Sequence, residues 1–352
     1  MRVGFVPLTD AAPVLMAQAL GFYEERGLAV ELVRQASWPA TRDALLSGEI
    51  DAAHCLASLP LSVAAGVTGR ADQVLPIVMA LNTDGQAITL ATALTAPGYA
   101  DPEGSLAAIA AAGRARRLTL AMTYPGGTHD IWLRYWLAAA GLDPARDVDI
   151  IPIPPPQMVA NIAAGTMDGF SAGEPWNAVA AAHGVGFTAI TSHDILPGHP
   201  EKALVVSPGA LARRRSEVDL LIGGTLAACA WLDDPHNRRA AVPILATPRH
   251  VNAAAVHIER RLLDADTGPV FHDGGRVNAP RRVHAHWFLA QMRRLGVLHG
   301  EPDDRAIVDA VVRRDVYEDA ARAEGVAVPG DDMEPLMIPL DGAFFDPGMP
   351  TR

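Results

Sequence analysis

Cysteine is nearly absent from this chain: Cys55 and Cys229 are the only two in 352 residues. They stand too far apart for a disulfide framework, and no CxxC metal spacing exists, so both read as small buried hydrophobes. Long apolar runs are missing as well. No stretch reaches the roughly 18 uninterrupted apolar residues of a membrane-spanning helix, so no membrane insertion is expected. Positive charge is short: the formal net charge is −11. That balance disfavours nucleic acid and an acidic membrane surface as direct partners. It also repels small anions at long range, so an anion site here has to work through local donors.

Other signals are lacking too. Met1-Arg2-Val3-Gly4-Phe5-Val6-Pro7 contains no apolar leader region of about 7–15 residues and no lipid-attachment cysteine, and it already reads as a strand. Taken as a native start, it implies a cytoplasmic protein. No nucleophile elbow, phosphate-binding Walker loop, HExxH helix or paired-carboxylate arrangement is present, which argues against an enzyme. His193, His199, His250, His257, His284 and His286 are not spaced as a metal cluster, and no cofactor is expected.

What is present is α/β alternation in a chain that is 49% hydrophobic and 20% charged. Short apolar runs at Val3–Val6, Leu28–Val33, Ile50–Cys55, Val74–Leu81 and Ala87–Ala91 read as strands, with helical stretches between the earlier ones. Such alternation implies mostly parallel sheets covered by helices. The Ala/Gly/Pro-rich segment Thr92–Ala112 reads as a crossing into a second lobe, and Ala203–Val206 as the return. The expected organisation is therefore 1–92 for the first part of lobe 1 and 93–202 for lobe 2. Residues 203–330 return to lobe 1 and add C-terminal helices, and 331–352 form an irregular tail. Two α/β lobes joined by two crossings are the plan of a venus-flytrap binding protein, with ligand held between the lobes.

Tyr124-Pro-Gly-Gly-Thr-His-Asp-Ile-Trp132 is the most informative segment. It follows the buried-strand pattern Leu118–Met122 and opens an apolar-periodic helix. A glycine-rich turn lets a ligand approach the backbone, and the helix start offers unpaired N–H groups and the positive dipole end. Gly126, Gly127, Thr128 and His129 thus outline an anion seat. A capped strand-to-helix turn without ligand reads equally well from these residues alone.

Several motifs in order carry a resemblance. They include Gly4–Pro13, Gly21–Leu28, Gln35-Ala-Ser-Trp38, Gly48–His54, Gly85-Gln-Ala-Ile-Thr89, Tyr124–His129, Pro155–Asn161, Met167–Phe170 and Gly173-Glu-Pro-Trp-Asn177. Together they resemble the nitrate/bicarbonate branch of ABC-type solute-binding proteins. The resemblance implies an α/β, two-lobed type II periplasmic-binding-protein fold (a C-clamp) with a helical C-terminal part, and a small oxyanion as ligand. It implies Trp38, Gln86 and His129 as ligand donors, with Gly126 and Gly127 N–H groups as additions and Glu174 near the cleft. Indole, amide and ring N–H groups suit nitrate, a planar anion with three acceptor oxygens and no donor. The family's cation, a lysine before a His-x-x-Trp-Phe-like helix, falls by register on Arg282 in Pro280–Phe288, with Arg281 one residue away. In the family's bicarbonate-binding members this position is instead acidic and helps hold calcium, so the resemblance implies nitrate or nitrite over bicarbonate for a chain with arginine there, whose planar fork suits a planar oxyanion.

Without a leader, the chain most resembles the cytosolic nitrate/nitrite sensor of bacterial assimilation operons. That likeness implies an antiterminator protein with an RNA-binding domain as partner, sequestered without anion and released with it. The runner-up is the receptor of an ABC nitrate, nitrite or bicarbonate transporter. A small-molecule enzyme on the same fold is a remote third.

Overall fold

A computed structural model of the chain describes residues 1–94, 101–330 and 332–349. Ten strands build two five-stranded sheets. They are β1 (Arg2–Phe5), β2 (Glu31–Arg34), β3 (Ala52–Leu56), β4 (Ile77–Thr83), β5 (Gln86–Ala91), β6 (Leu118–Met122), β7 (Val148–Pro152), β8 (Gly169–Gly173), β9 (Gly186–Thr191) and β10 (Pro200–Val206). The first sheet runs β2-β1-β3-β10-β4 and the second β7-β6-β8-β5-β9. Parallel pairs form one side of each sheet. One antiparallel strand is inserted near the other edge: β10 between β3 and β4, and β5 between β8 and β9. The two-lobed α/β architecture expected from the alternation is what the chain forms.

The crossings differ from the expected positions. The chain leaves the first sheet at Asp84-Gly85, where both residues are left-handed, with φ of 57° and 87°. Asp and Gly are the residues that tolerate that region in a tight turn. So β5, expected in lobe 1, already belongs to lobe 2. The return lies between β9 and β10, and Ala203–Val206 is the body of a central strand, not a linker. Both shifts have one physical cause. β5 and β10 are buried on both faces, and a strand apolar on both faces carries no mark of the sheet it joins. Within Thr92–Ala112 the chain holds helix Pro102–Ala115, capped by the Asp101 carboxylate accepting from Gly104 N–H; residues 95–100 lie outside the described residues. The tail expected to be irregular pairs β11 (Leu336–Ile338) with β12 (Ala343–Phe345); positions 331 and 350–352 lie outside the described residues.

The lobes are in contact. Lobe 2's turn at Gly126-Gly127 packs against lobe 1: the Ser58 hydroxyl donates to Gly126 O at 2.8 Å. A Cβ at Gly127 would come within 2.7 Å of Leu56 Cδ1, and one at Gly126 within 2.9 Å of Ser62 Cβ. Glycine is needed here for close approach between lobes. The largest apolar core is continuous across them, joining Leu56 and Leu59 to Tyr124 and Trp132 and to Trp287 and Phe288 of helix Arg282–Arg294. A second core lies behind the first sheet, where helix Arg215–Asp233 packs.

Candidate functional site

Five buried side chains from both lobes close a ring at the strand ends. Asp10 comes from the turn Thr9–Ala11, Gln86 from the start of β5, His129 from the first turn of helix Thr128–Ala139, and Glu201 and Lys202 from the start of β10. Gln86 Nε2 donates to Asp10 Oδ2 at 2.8 Å. That leaves Gln86 Oε1 as the acceptor for His129 Nε2 at 2.9 Å, and His129 Nδ1 lies 2.6 Å from the Thr123 hydroxyl. The network therefore assigns the proton to His129 Nε2 and makes Nδ1 the acceptor. His129 Nε2 also approaches Glu201 Oε1 at 3.3 Å. Lys202 Nζ completes the ring, 2.8 Å from Glu201 Oε1 and 2.7 Å from Asp10 Oδ2.

Around the ring, His54 Nε2 meets Asp10 Oδ1 at 2.9 Å. Trp132 Nε1 donates to Glu201 Oε2 at 3.0 Å, and the Thr128 hydroxyl donates to Glu201 Oε1. Trp38 stands on the other side, its ring 5.8 Å from Lys202 Nζ and 5.6 Å from the His54 ring. It is the first residue of helix Trp38–Ser47, whose start is capped by the Ser37 hydroxyl accepting from Ala40 N–H. Trp38 is 0% exposed, and its indole N–H has no hydrogen-bond partner. An unpaired buried donor costs about 1–3 kcal/mol. It marks a place built for an acceptor.

The electrostatics are those of a tightly coupled cluster. Burial would raise the Asp10 carboxyl, yet Lys202 and the His54 hydrogen bond hold it at about 2. Burial is likewise overridden at Glu201, which Lys202 and His129 keep well below the usual carboxylate range. Burial would lower the Lys202 ammonium, but the two carboxylates raise it. Burial lowers both His54 and His129, so at neutral pH both imidazoles are uncharged. Two carboxylates face one ammonium, leaving one negative charge in excess.

The structure thus brings Trp38, Gln86, Thr128 and His129 together, and it changes the roles of the others. The N–H groups of Gly126 and Gly127 are already engaged, with Asp130 Oδ2 at 2.9 Å and Tyr124 O at 2.9 Å. Thr128 and Trp132 serve Glu201, so an internal carboxylate lies beside the helix turn expected to seat an external anion. Arg282 is outside the site altogether. Helix Arg282–Arg294 begins at this residue, and the guanidinium turns outward, 44% exposed, bonding Asp332 through Nε at 2.8 Å and Nη2 at 3.1 Å. The cation of the site is Lys202. Exchanging Arg282 for alanine is expected to leave anion affinity within about twofold and to cost about 1–3 kcal/mol of stability, because the buried Asp332 carboxylate loses its two charge-assisted hydrogen bonds. Calorimetry and chemical denaturation check both.

Glu174 sits at the lobe interface instead of in the ring. It is buried, accepts from Ala178 N–H at 3.1 Å and faces Arg261 Nε at 3.5 Å, on helix Ala255–Leu262 of the opposite lobe. Its backbone carbonyl accepts from Thr9 N–H at 2.8 Å, one residue from Asp10. Glu174 is thereby a clasp that positions the ring. Burial raises its carboxyl from 4.5 to about 7, against the pull of Arg261. Between those two values the folded chain holds a proton that the unfolded chain has released, so stability falls as pH rises through the window. The loss is on the order of 3 kcal/mol by roughly pH 7. Glu174→Gln is expected to remove that slope in denaturation curves taken from pH 5 to pH 8.

Sequence reasoning missed Lys202, Glu201 and Asp10. One signal was available: Glu201-Lys202 open an otherwise apolar strand, and charges entering a buried central strand need partners.

The sequence profile of the NMT1-like family matches residues 1–246. The chain is 37% identical to the nitrate/nitrite binding protein NrtA of Synechococcus elongatus, over 99% of this chain and 84% of that protein. Its fold superposes on the crystal structure of the periplasmic nitrate-binding protein NrtA from Synechocystis PCC 6803 with a TM-score of 0.91. That pair is 32% identical, covering 98% of this chain and 95% of the other. The chain is also 34% identical to the bicarbonate transport ATP-binding protein CmpC of Synechocystis, over 98% of its own length but 53% of that longer protein.

Proposed function

We propose that this chain, which belongs to the NMT1-like family and is similar over nearly its whole length to nitrate-binding solute receptors, binds nitrate or nitrite between its lobes. In this reading it presents the anion to an ABC importer. The observation that carries the proposal is the Trp38 indole N–H, fully buried and unpaired beside Lys202 and His54. Nitrate offers three acceptor oxygens, and it meets there an indole N–H and an ammonium. The amide of Gln86 and the imidazole of His129 are within the same ring and exchange their present partners for the anion.

The receptor reading replaces the sensor expected from the sequence. The relatives' names describe nitrate/nitrite binding, nitrate import and bicarbonate transport, and they lend no support to an antiterminator as partner. An ATP-binding component named for nitrate import, NrtC of Synechocystis, is itself 32% identical to this chain across 54% of its length, which supports a membrane importer as the partner.

Calorimetric titration with nitrate, nitrite and bicarbonate, the last with and without calcium and all at fixed ionic strength, tests the reading. Saturable nitrate or nitrite binding, weakened at least about tenfold by Trp38→Phe through loss of one charge-assisted hydrogen bond, is the expected result. Calcium-dependent binding of bicarbonate, or no binding of any of the three, would overturn it.

A further inference from the structure

A cavity lies apart from the ring. It has a volume of about 100 Å³ and sits between the first sheet and helix Arg282–Arg294, with no residue in common with the ring or with Trp38. Its sheet side is lined by Ala57, Ala80 and Ala203, its helix side by Ala285 and Phe288. Close-packed interiors leave few voids larger than a water molecule. Here small side chains on both facing elements hold the space open.

One end of the cavity is polar. Arg281 lines it, with Nε and Nη2 buried and without hydrogen-bond partners. The carboxylate of Glu334 stands on the outer side, largely exposed and 3.6 Å from Nη2, beyond hydrogen-bond distance. His284 lines the same cavity, and burial together with the Arg281 charge pushes its imidazole down to about 3, so it is neutral. Arg276, also in the wall, is held by Asp273 at 2.7 Å. The end therefore carries two guanidiniums, Arg276 held by Asp273 and Arg281 with two N–H groups that have no hydrogen-bond partner, and no acid among the described residues lines the cavity.

The two halves of this chamber select a ligand class. A guanidinium edge with two free N–H groups matches a carboxylate. The alanine-lined remainder offers nothing to replace the water shell of a fully polar oxyanion, so nitrate is a poor occupant. An apolar tail fills it well, and the volume suits a body of roughly four or five carbons. We propose that this cavity binds a short-chain aliphatic monocarboxylate, its carboxylate on Arg281 and its tail among Ala57, Ala203 and Ala285. The site is independent of the nitrate reading, since the two share no residue.

Butyrate is the probe, titrated calorimetrically into the full chain with and without saturating nitrate at matched ionic strength, with butyramide as the uncharged control. The expected result is saturable one-to-one butyrate binding that nitrate does not compete away. Butyramide binds at least about tenfold more weakly, and Arg281→Gln weakens butyrate by a similar factor. Ala285→Leu fills the chamber and abolishes butyrate binding while nitrate binding persists, which shows that the variant is folded. Absence of saturable butyrate binding, equal binding by wild type and Arg281→Gln, or displacement of butyrate by nitrate would each overturn the proposal.

Discussion

Replacing Lys202 with methionine is expected to abolish nitrate binding, a loss of at least about 100-fold, because the ammonium is the one cation of the ring and its hydrogen bonds to anions are charge-assisted. The same change is expected to destabilise the fold by roughly 3–5 kcal/mol, since it leaves the Asp10 and Glu201 carboxylates buried without a counter-charge. The two effects are separable. Lys202→Met combined with Glu201→Gln removes one charge of each sign; the amide oxygen keeps the Trp132 indole N–H, and the amide N–H group faces the Thr128 hydroxyl, which turns to accept. That pair is expected to recover most of the stability in chemical denaturation and none of the binding in calorimetry. Recovery of both would mean that Lys202 acts only to neutralise Glu201.

Proton uptake on anion binding is the second large effect. The ring already holds one negative charge in excess, and a bound monoanion adds another in a buried setting. His54 and His129 are uncharged when ligand-free because burial lowers both. The groups facing them are Asp10, Glu201 and Lys202 of lobe 1, with Gln86 and Thr123 of lobe 2. A neighbouring anion raises an imidazole pKa. In the window between its ligand-free and ligand-bound values, nitrate therefore binds together with a proton. The sign follows: affinity falls as pH rises, by up to about tenfold per unit for one proton. Titrations in buffers of different ionisation enthalpy measure the uptake directly. The expected uptake is greater than zero, and His129→Gln is expected to reduce both the uptake and the slope.

The part of this molecule that was legible in the sequence is the part governed by local rules. The run Leu118–Met122 forms β6 with the expected bounds, and the helix after Gly126-Gly127 begins at Thr128. Glycine punctuation and the change of apolar period were enough for both. Trp38, Gln86 and His129 were named from motifs, and each stands in or beside the ring. What was not legible depended on distant partners. Lys202 is defined as a site residue by Asp10, Gln86 and His129, which lie far from it in the chain and carry no local mark of its presence. Arg282 was chosen by register with a helix motif. Its direction is decided by where that helix begins and by Asp332, 50 residues further on. The lobe crossings escaped for a similar reason: β5 and β10 are buried on both faces, and membership of one sheet or the other is a property of topology.

The central claim is that the oxyanion sits at Trp38 and Lys202. A crystal structure of the protein grown with nitrate tests it most directly. The anion is expected between the lobes, one oxygen accepting from Trp38 Nε1 and another from Lys202 Nζ, with Arg282 still bonded to Asp332. Nitrate found on Arg282 or Arg281, with Trp38 Nε1 still unpaired, would contradict it.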